Sequence, residues 1–332
     1  MTGPHPGAPN LTLICTNTVP ALDSCSIMYS TSLIHALAAL LLALLQDTLT
    51  VTVSLVRLGV TVADSRGRNV TGLKNQDFRL SVNGVPREIA FFSDGPQPIS
   101  LGIVLDQSFS MSYDNKLERA KEAAHTLVHA VHDGSEYFYV TFDDEVRIVR
   151  SVTSDRSDID FAIDATALGR GTSLFDAVIQ GIDLSRKTMR HRQVLVVISD
   201  GADTHSKEKL ATLMKAARES EVQIYTIGYF NPEEDQLFRT NGAEIKMTAR
   251  TVHNPRVVLT ELSEQSGGKA FFPKTDTAMT AAVQAIVNDL RSQYTIEFYR
   301  QPTDNDTYQE LRLLIQGHRG AIRTRSGFGG RQ

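Results

Sequence analysis

The sequence predicts an α/β fold: a doubly wound, mostly parallel sheet flanked by N- and C-terminal β segments that are expected to form one β-sandwich. Three observations predict it. From Ile99 onward, short apolar runs alternate with amphipathic stretches, the rhythm of parallel strands covered by helices on both faces. Before that point Val- and Thr-rich alternation dominates, and alternation returns in the tail with Tyr294, Ile296 and Phe298, then Leu311, Leu313 and Ile315. The segment Ser93-Asp94-Gly95-Pro96-Gln97-Pro98 punctuates the change.

In chain order, Leu33 to Leu45 is apolar apart from His35, too short for a comfortable membrane span and matched to the h-region of a secretory signal. No Lys or Arg precedes Arg57, and Met28 is an alternative start. Residues 1–46 are therefore expected to be a leader that is removed or disordered. Residues 47–97 read as a β module, with the alternating Thr48 to Ala63 and a hairpin of Phe78 to Val82, Asn83-Gly84 and Arg87 to Phe92. Residues 98–293 form the α/β domain. Its first helix carries Leu117, Ala120, Ala124, Leu127, Val128 and Val131 on one face, and the strand Tyr137 to Phe142 follows. Helices at Asp158 to Ala165, Ser173 to Ser185 and Lys207 to Ser220 alternate with strands at Val194 to Ile198 and Val222 to Ile227. Asn231 to Pro255 has no clear period and is expected as a long loop near the functional edge. A helix near Arg256 to Ser266, the strand Lys269 to Phe272 and a helix near Ala278 to Leu290 complete the domain. Residues 294–332 return to β character.

Asp106, Ser108 and Ser110 form Asp-x-Ser-x-Ser directly after the apolar run Ile99 to Leu105. Hard oxygen donors at alternate positions point the same way and suit a divalent cation. Thr172 offers another hydroxyl at a helix start, and Asp200 offers a second carboxylate after the strand Val194 to Ile198. In an open α/β sheet the carboxyl ends of parallel strands share one edge, so the three segments are expected to meet there. Two carboxylates roughly neutralise a 2+ ion, and hydroxyls bind it without adding charge, which leaves it electrophilic toward an incoming acidic group. Asp176 is expected to favour the N-terminal end of its own helix, Asp203 to cap a helix near Ser206, and Asp143-Asp144 to turn a hairpin.

On Asp106, Ser108, Ser110, Thr172 and Asp200 the chain resembles the von Willebrand factor type A family, whose Rossmann-like fold carries a metal-ion-dependent adhesion site of Asp-x-Ser-x-Ser, a separate Thr and a separate Asp. The resemblance implies that Ser108, Ser110 and Thr172 bind the metal directly and that the two aspartates bind it directly or through water. It further implies Mg2+ or Mn2+, with the last position filled by a Glu or Asp of a partner protein. Phe109 departs from the pattern, where Gly is common. The order of leader, β module, metal-motif domain and β tail is similar to bacterial exported proteins called von Willebrand factor A-related, on Gln76 to Leu80, Ser266 to Pro273 and Arg323 to Phe328.

A formal net charge of −4 gives no basic footprint for nucleic acid or an anionic membrane surface. Cys15 and Cys25 both precede the folded part. No small-molecule site is evident: Leu174 stands where a dinucleotide fingerprint after Gly169 wants Gly, and Gly267-Gly268-Lys269-Ala270 lacks the Ser or Thr of a phosphate loop. His125, His129 and His132 share a helix flank with Glu118 and Glu122 at a spacing suited to zinc, but no outside ligand is evident and a solvated face is expected. The favoured function is non-catalytic, metal-dependent protein binding of the adhesion type at the cell envelope, with the chain periplasmic, cell-surface or secreted. A metal-dependent hydrolase is the alternative, lacking an evident base. An intracellular adaptor for an ATPase complex shares the fold but not the leader.

Overall fold

The computed structural model describes residues 55–190, 192–246, 251–301, 304, 307–317 and 320–329; Leu33 to Leu45 and both cysteines lie outside them. The chain enters through β1 (Leu55–Ala63), β2 (Phe78–Val82), β3 (Val85–Arg87) and β4 (Phe91–Asp94). Asn83, at φ 49°, and Gly84, at φ 79°, turn β2 into β3, as Asn-Gly demands. The expected hairpin stops at Arg87, and Phe91-Phe92 crosses to a different sheet as β4. Pro86 lies in β3, which pairs only with β2 and so tolerates the missing N–H.

Seven consecutive buried residues form β5 (Ser100–Asp106), and another seven form β6 (Glu136–Phe142). Neither alternates, because helices cover both faces. β5 pairs in parallel with β6 on one side and with β8 (Gln193–Ser199) on the other. β9 (Gln223–Gly228) and β12 (Ala270–Phe271) extend the sheet beyond β8, while β7 (Val146–Thr153) adds an antiparallel edge beyond β6. The strand order β12-β9-β8-β5-β6-β7 puts the topological switch at β5. The crevice at the carboxyl end of such a strand is where ligands bind in this architecture.

Helices α1 (Lys116–Ala130) and α2 (Arg156–Asp164) pack on one face with Leu101, Ile103 and Leu105 of β5. Helices α3 (Leu174–Ser185) and α4 (Leu210–Glu219) pack on the other with Val104. The expected loop from Asn231 to Pro255 is instead α5 (Pro232–Thr240) followed by a hairpin of β10 (Glu244–Lys246) and β11 (Thr251–His253). Its start is a capping box: Asn231 Oδ1 accepts from Glu234 N at 2.8 Å, Glu234 Oε2 accepts from Asn231 N at 2.9 Å, and Pro232 occupies the first turn. Asn254 caps α6 (Pro255–Ser266), which joins the α3 face, and α7 (Asp276–Ser292) joins the α1 face.

The tail supplies β13 (Tyr294–Tyr299), β14 (Gln309–Ile315), β15 (Ala321–Arg323) and β16 (Gly327–Phe328). Two four-stranded antiparallel sheets result, β15-β1-β13-β4 and β16-β14-β2-β3. Leu58, Val60, Phe78, Leu80, Ile296, Phe298 and Leu313 share one apolar interior, so segments before and after the α/β region build one sandwich. Tyr294 OH accepts from Leu73 N at 3.1 Å and donates to Val70 O at 2.9 Å. Buried Arg325 donates to Arg57 O at 2.9 Å and to Ser220 O at 3.3 Å, and buried Arg192 donates to Leu290 O at 2.8 Å. Arg325 thus binds the sandwich to the amino end of β9, and Arg192 binds the amino end of β8 to the last turn of the helix that leads into β13.

Gly102 makes room on β5 for the side chains of Phe138 and Leu195 from the strands on either side. A Cβ there would lie 2.1 Å from Phe138 Cζ and 2.7 Å from Leu195 Cδ1. Gly102→Val is therefore expected to lower the urea midpoint at unchanged m value, a loss of about 1–3 kcal/mol from overpacking.

Candidate metal centre

β5 ends on Asp106, and β8 ends on Ser199 with Asp200 next. Both aspartates are almost inaccessible, at 0% and 1%. Ser108 N donates to Asp106 Oδ1 at 2.8 Å, and Ser199 Oγ donates to Asp106 Oδ2 at 2.6 Å. The two motif hydroxyls, Ser108 Oγ and Ser110 Oγ, lie 3.0 Å apart, and Ser110 Oγ donates to Asp200 Oδ1 at 2.7 Å. Thr172 Oγ1 and Ser110 Oγ both lie within 4 Å of where a Gly201 Cβ would stand. All five residues singled out by sequence thus converge at the carboxyl ends of β5 and β8.

Backbone contacts hold the loops in place. Gly169 N donates to Gln107 O at 2.6 Å and Phe109 N to Arg170 O at 3.0 Å, which zips the segment before Thr172 onto the Asp-x-Ser-x-Ser loop. Thr172 O accepts from Thr204 N at 2.8 Å and His205 N at 3.0 Å, tying it to the loop after Asp200. A Cβ on Gly169 would fall 1.9 Å from Asp143 Oδ2, so only Gly fits there. Asp143 itself accepts from Gln107 Nε2, Glu145 N and Arg147 Nη1 at 2.8–3.1 Å, a brace between loops. Asp176 lies in the first turn of α3 and accepts from Lys207 N and Glu208 N. Asp203, expected to cap a helix near Ser206, instead accepts from Phe175 N at 3.2 Å in α3, and α4 begins only at Leu210.

Electrostatics favour a bound cation. Burial, followed by repulsion from Asp200, pushes the Asp106 carboxyl up to about 7. Burial also raises Asp200, against the opposing pull of Lys116. That lysine was not singled out by sequence. It is 2% exposed, with Nζ 2.6 Å from Asp200 Oδ2 and 3.3 Å from Glu234 Oε2. Burial alone depresses Lys116, but Asp200 and Glu234 outweigh it and hold the ammonium above its ordinary value. Ionised Asp106, Asp200 and Glu234 carry three negative charges against one positive, so a dication completes the balance. The hydroxyls spend their protons on the carboxylate and on each other, which leaves oxygen lone pairs for a hard metal. The residues therefore fit a divalent ion, which Asp106, Ser108, Ser110, Thr172 and Asp200 would hold.

No local pattern pairs Lys116 with Asp200, 84 positions away. Glu234 was legible as the third helical residue after Asn231, had the capping box been read. Phe109 and Tyr113 flank the Asp-x-Ser-x-Ser loop, 59% and 55% exposed, with ring centroids 5.9 Å apart in an edge-on contact.

A family model described as von Willebrand factor type A domain matches residues 101–265. A curated relative, an uncharacterized protein of Borreliella burgdorferi, is 27% identical over 227 residues, which is 64% of this chain and 64% of the relative. The chain thus spans less than two thirds of that relative's length. Similar solved structures include proximal thread matrix protein 1 from mussel byssus with a zinc-occupied MIDAS motif, at 16% identity, TM-score 0.48, and coverage of 64% of this chain and 50% of that one. A von Willebrand factor type A protein from Catenulispora acidiphila is 13% identical, with TM-score 0.46 and coverage of 75% and 73%. BatB from Bacteroides thetaiotaomicron is 18% identical, with TM-score 0.44 and coverage of 57% and 98%. Residues 101–265 therefore form a von Willebrand factor type A domain.

Proposed function

We propose that the chain is a non-catalytic, metal-dependent protein-binding protein of the adhesion type, exported to the cell envelope. Domains of this family are generally non-catalytic modules, commonly of metal-dependent protein interaction. In this reading Asp106, Ser108, Ser110, Thr172 and Asp200 hold Mg2+ or Mn2+, and a Glu or Asp carboxylate of a partner protein takes the remaining position. The supporting observation is the convergence of oxygen donors from three loops on two buried carboxylates that one lysine only half balances. A carboxylate partner suits a hard divalent ion with one coordination position unfilled, because carboxylate oxygen is a preferred ligand of such ions. Exposed Phe109 and Tyr113 add apolar area beside it, the kind of aromatic rim that anchors protein contacts. Export rests on the apolar run Leu33 to Leu45. Among the described residues no helix is long and apolar enough to cross a membrane.

Two outcomes are expected. In pull-downs from envelope extract, partner capture in magnesium is lost with chelator and with Asp106→Ala, which removes one ligand and its charge; capture that survives both removes the mechanism. Lys116→Met leaves Asp200 buried without its counter-ion, and loss of one member of such a pair costs roughly 3–5 kcal/mol. Thermal melting is expected to show that loss in chelator and a larger recovery on adding Mg2+ than in the unaltered protein. Equal recovery in both proteins would show that the ammonium and the metal do not share Asp200.

A further inference from the structure

We propose that His125, His129 and Asp160 form a second metal site, of the imidazole-rich kind that takes Zn2+, at the solvent-facing seam of α1 and α2. The helix flank expected to be merely solvated is faced by two carboxylates of α2. One ligand atom from each of the three residues lies within 4.8 Å of the others. His125 Nδ1 is 2.7 Å from Asp160 Oδ1, and His129 Nε2 is 2.9 Å from Asp160 Oδ2. The histidines stand one turn apart on α1, so both rings project to the same side, and Asp160 reaches them from a separate helix. A set of two imidazoles and one carboxylate is a common protein complement for zinc, with water completing the coordination.

A further feature separates this cluster from a chance ion pair. The other ring nitrogen of His125, Nε2, lies 2.9 Å from Asp164 Oδ1. Metal-bound histidines characteristically give their second N–H to a carboxylate, which fixes the ring and strengthens it as a ligand. Asp164 is thus a positioning residue, one turn beyond Asp160. With neutral rings, Asp160 and Asp164 carry two negative charges, the complement of a dication. Neighbouring Lys121 does not cancel them: its Nζ goes to Glu118 Oε1 at 3.0 Å and to the Asp164 backbone carbonyl at 3.3 Å. Side-chain exposures of 29%, 56% and 26% for His125, His129 and Asp160 leave a path for the ion and room for water. Imidazole nitrogen discriminates against Mg2+, whose preference is oxygen, so the two sites select different metals. His132, the third histidine of the flank, is not among the ligands; its Nδ1 lies against Asp133 O.

Zn2+ titration of the full chain in millimolar Mg2+, read by competition with a chromophoric chelator, tests the site. Asp106→Ala removes the first centre, and that variant is expected to retain one equivalent of Zn2+. Combining it with His125→Ala and His129→Ala is expected to abolish that equivalent, and with His129→Ala alone, at an exposed position that folding tolerates, to weaken it. Asp164→Asn is expected to weaken Zn2+ by about 10- to 100-fold with stoichiometry unchanged. Co2+ in the same site gives a visible spectrum that changes in the histidine variants. Retention of the Zn2+ equivalent at unchanged affinity without both histidines, or a thiolate charge-transfer band pointing to Cys15 and Cys25, overturns the proposal. So does an Asp106→Ala protein that takes up no Zn2+.

Discussion

Two carboxylates buried where adjacent parallel strands end are the constraint around which the functional edge is organised. Asp106 and Asp200 are withdrawn from water and repel each other, which raises their cost as anions in a medium that screens charge poorly. Each contact around them answers that cost in part. Ser108 N and Ser199 Oγ donate to one carboxylate, and Ser110 Oγ and Lys116 donate to the other. The remaining imbalance is what a divalent ion supplies in the proposed function. Fold and chemistry meet here because the same burial that makes β5 a central strand also strips the water from its last residue.

Much of this was legible before any coordinates. Apolar runs without alternation marked β5, β6, β8 and β9, because strands covered on both faces have no polar side to show. The convergence of the five candidate residues was readable from residue type and from the rule that parallel strands present their carboxyl ends together. What escaped lay in two classes. Lys116 is invisible locally, since its partners come from the loop after β8 and from the first turn of α5, 84 and 118 positions away, and only the folded chain brings them near. The stretch from Asn231 to Pro255 is illegible to periodicity because α5 is short and buries only Asp235 and Phe238, so its apolar stripe is faint while its capping box is strong. Asp160 and Asp164 were equally hidden. A flank of histidines looks solvated until the next helix is laid against it.

The sandwich was legible as composition but not as pairing. Alternation at both ends of the chain suggested a joint module, whereas the crossing of Phe91-Phe92 out of its hairpin into the sheet with β13 is set by tertiary packing. Phe92 stacks on Tyr294 with centroids 5.7 Å apart and pairs with Ile296, while Glu88, Ile89 and Ala90 make the crossing between the two sheets. Strand propensity identifies a strand and is silent on its neighbour.

The direct passage of α7 into β13 has a mechanical consequence. Only Gln293 separates helix from strand, and the last turn of α7 is clasped by Arg192 at Leu290 O and by Asn69 at Asp289 Oδ1, 3.0 Å away. At its other end Asp276 meets Arg119 of α1 at 2.7 Å. An axial slip of one helical turn, about 5.4 Å, cannot be taken up by a slack connector and must drag β13 against both of its neighbours. An axial shift of α7 is therefore opposed by the pairing of β13 with β1 on one side and β4 on the other.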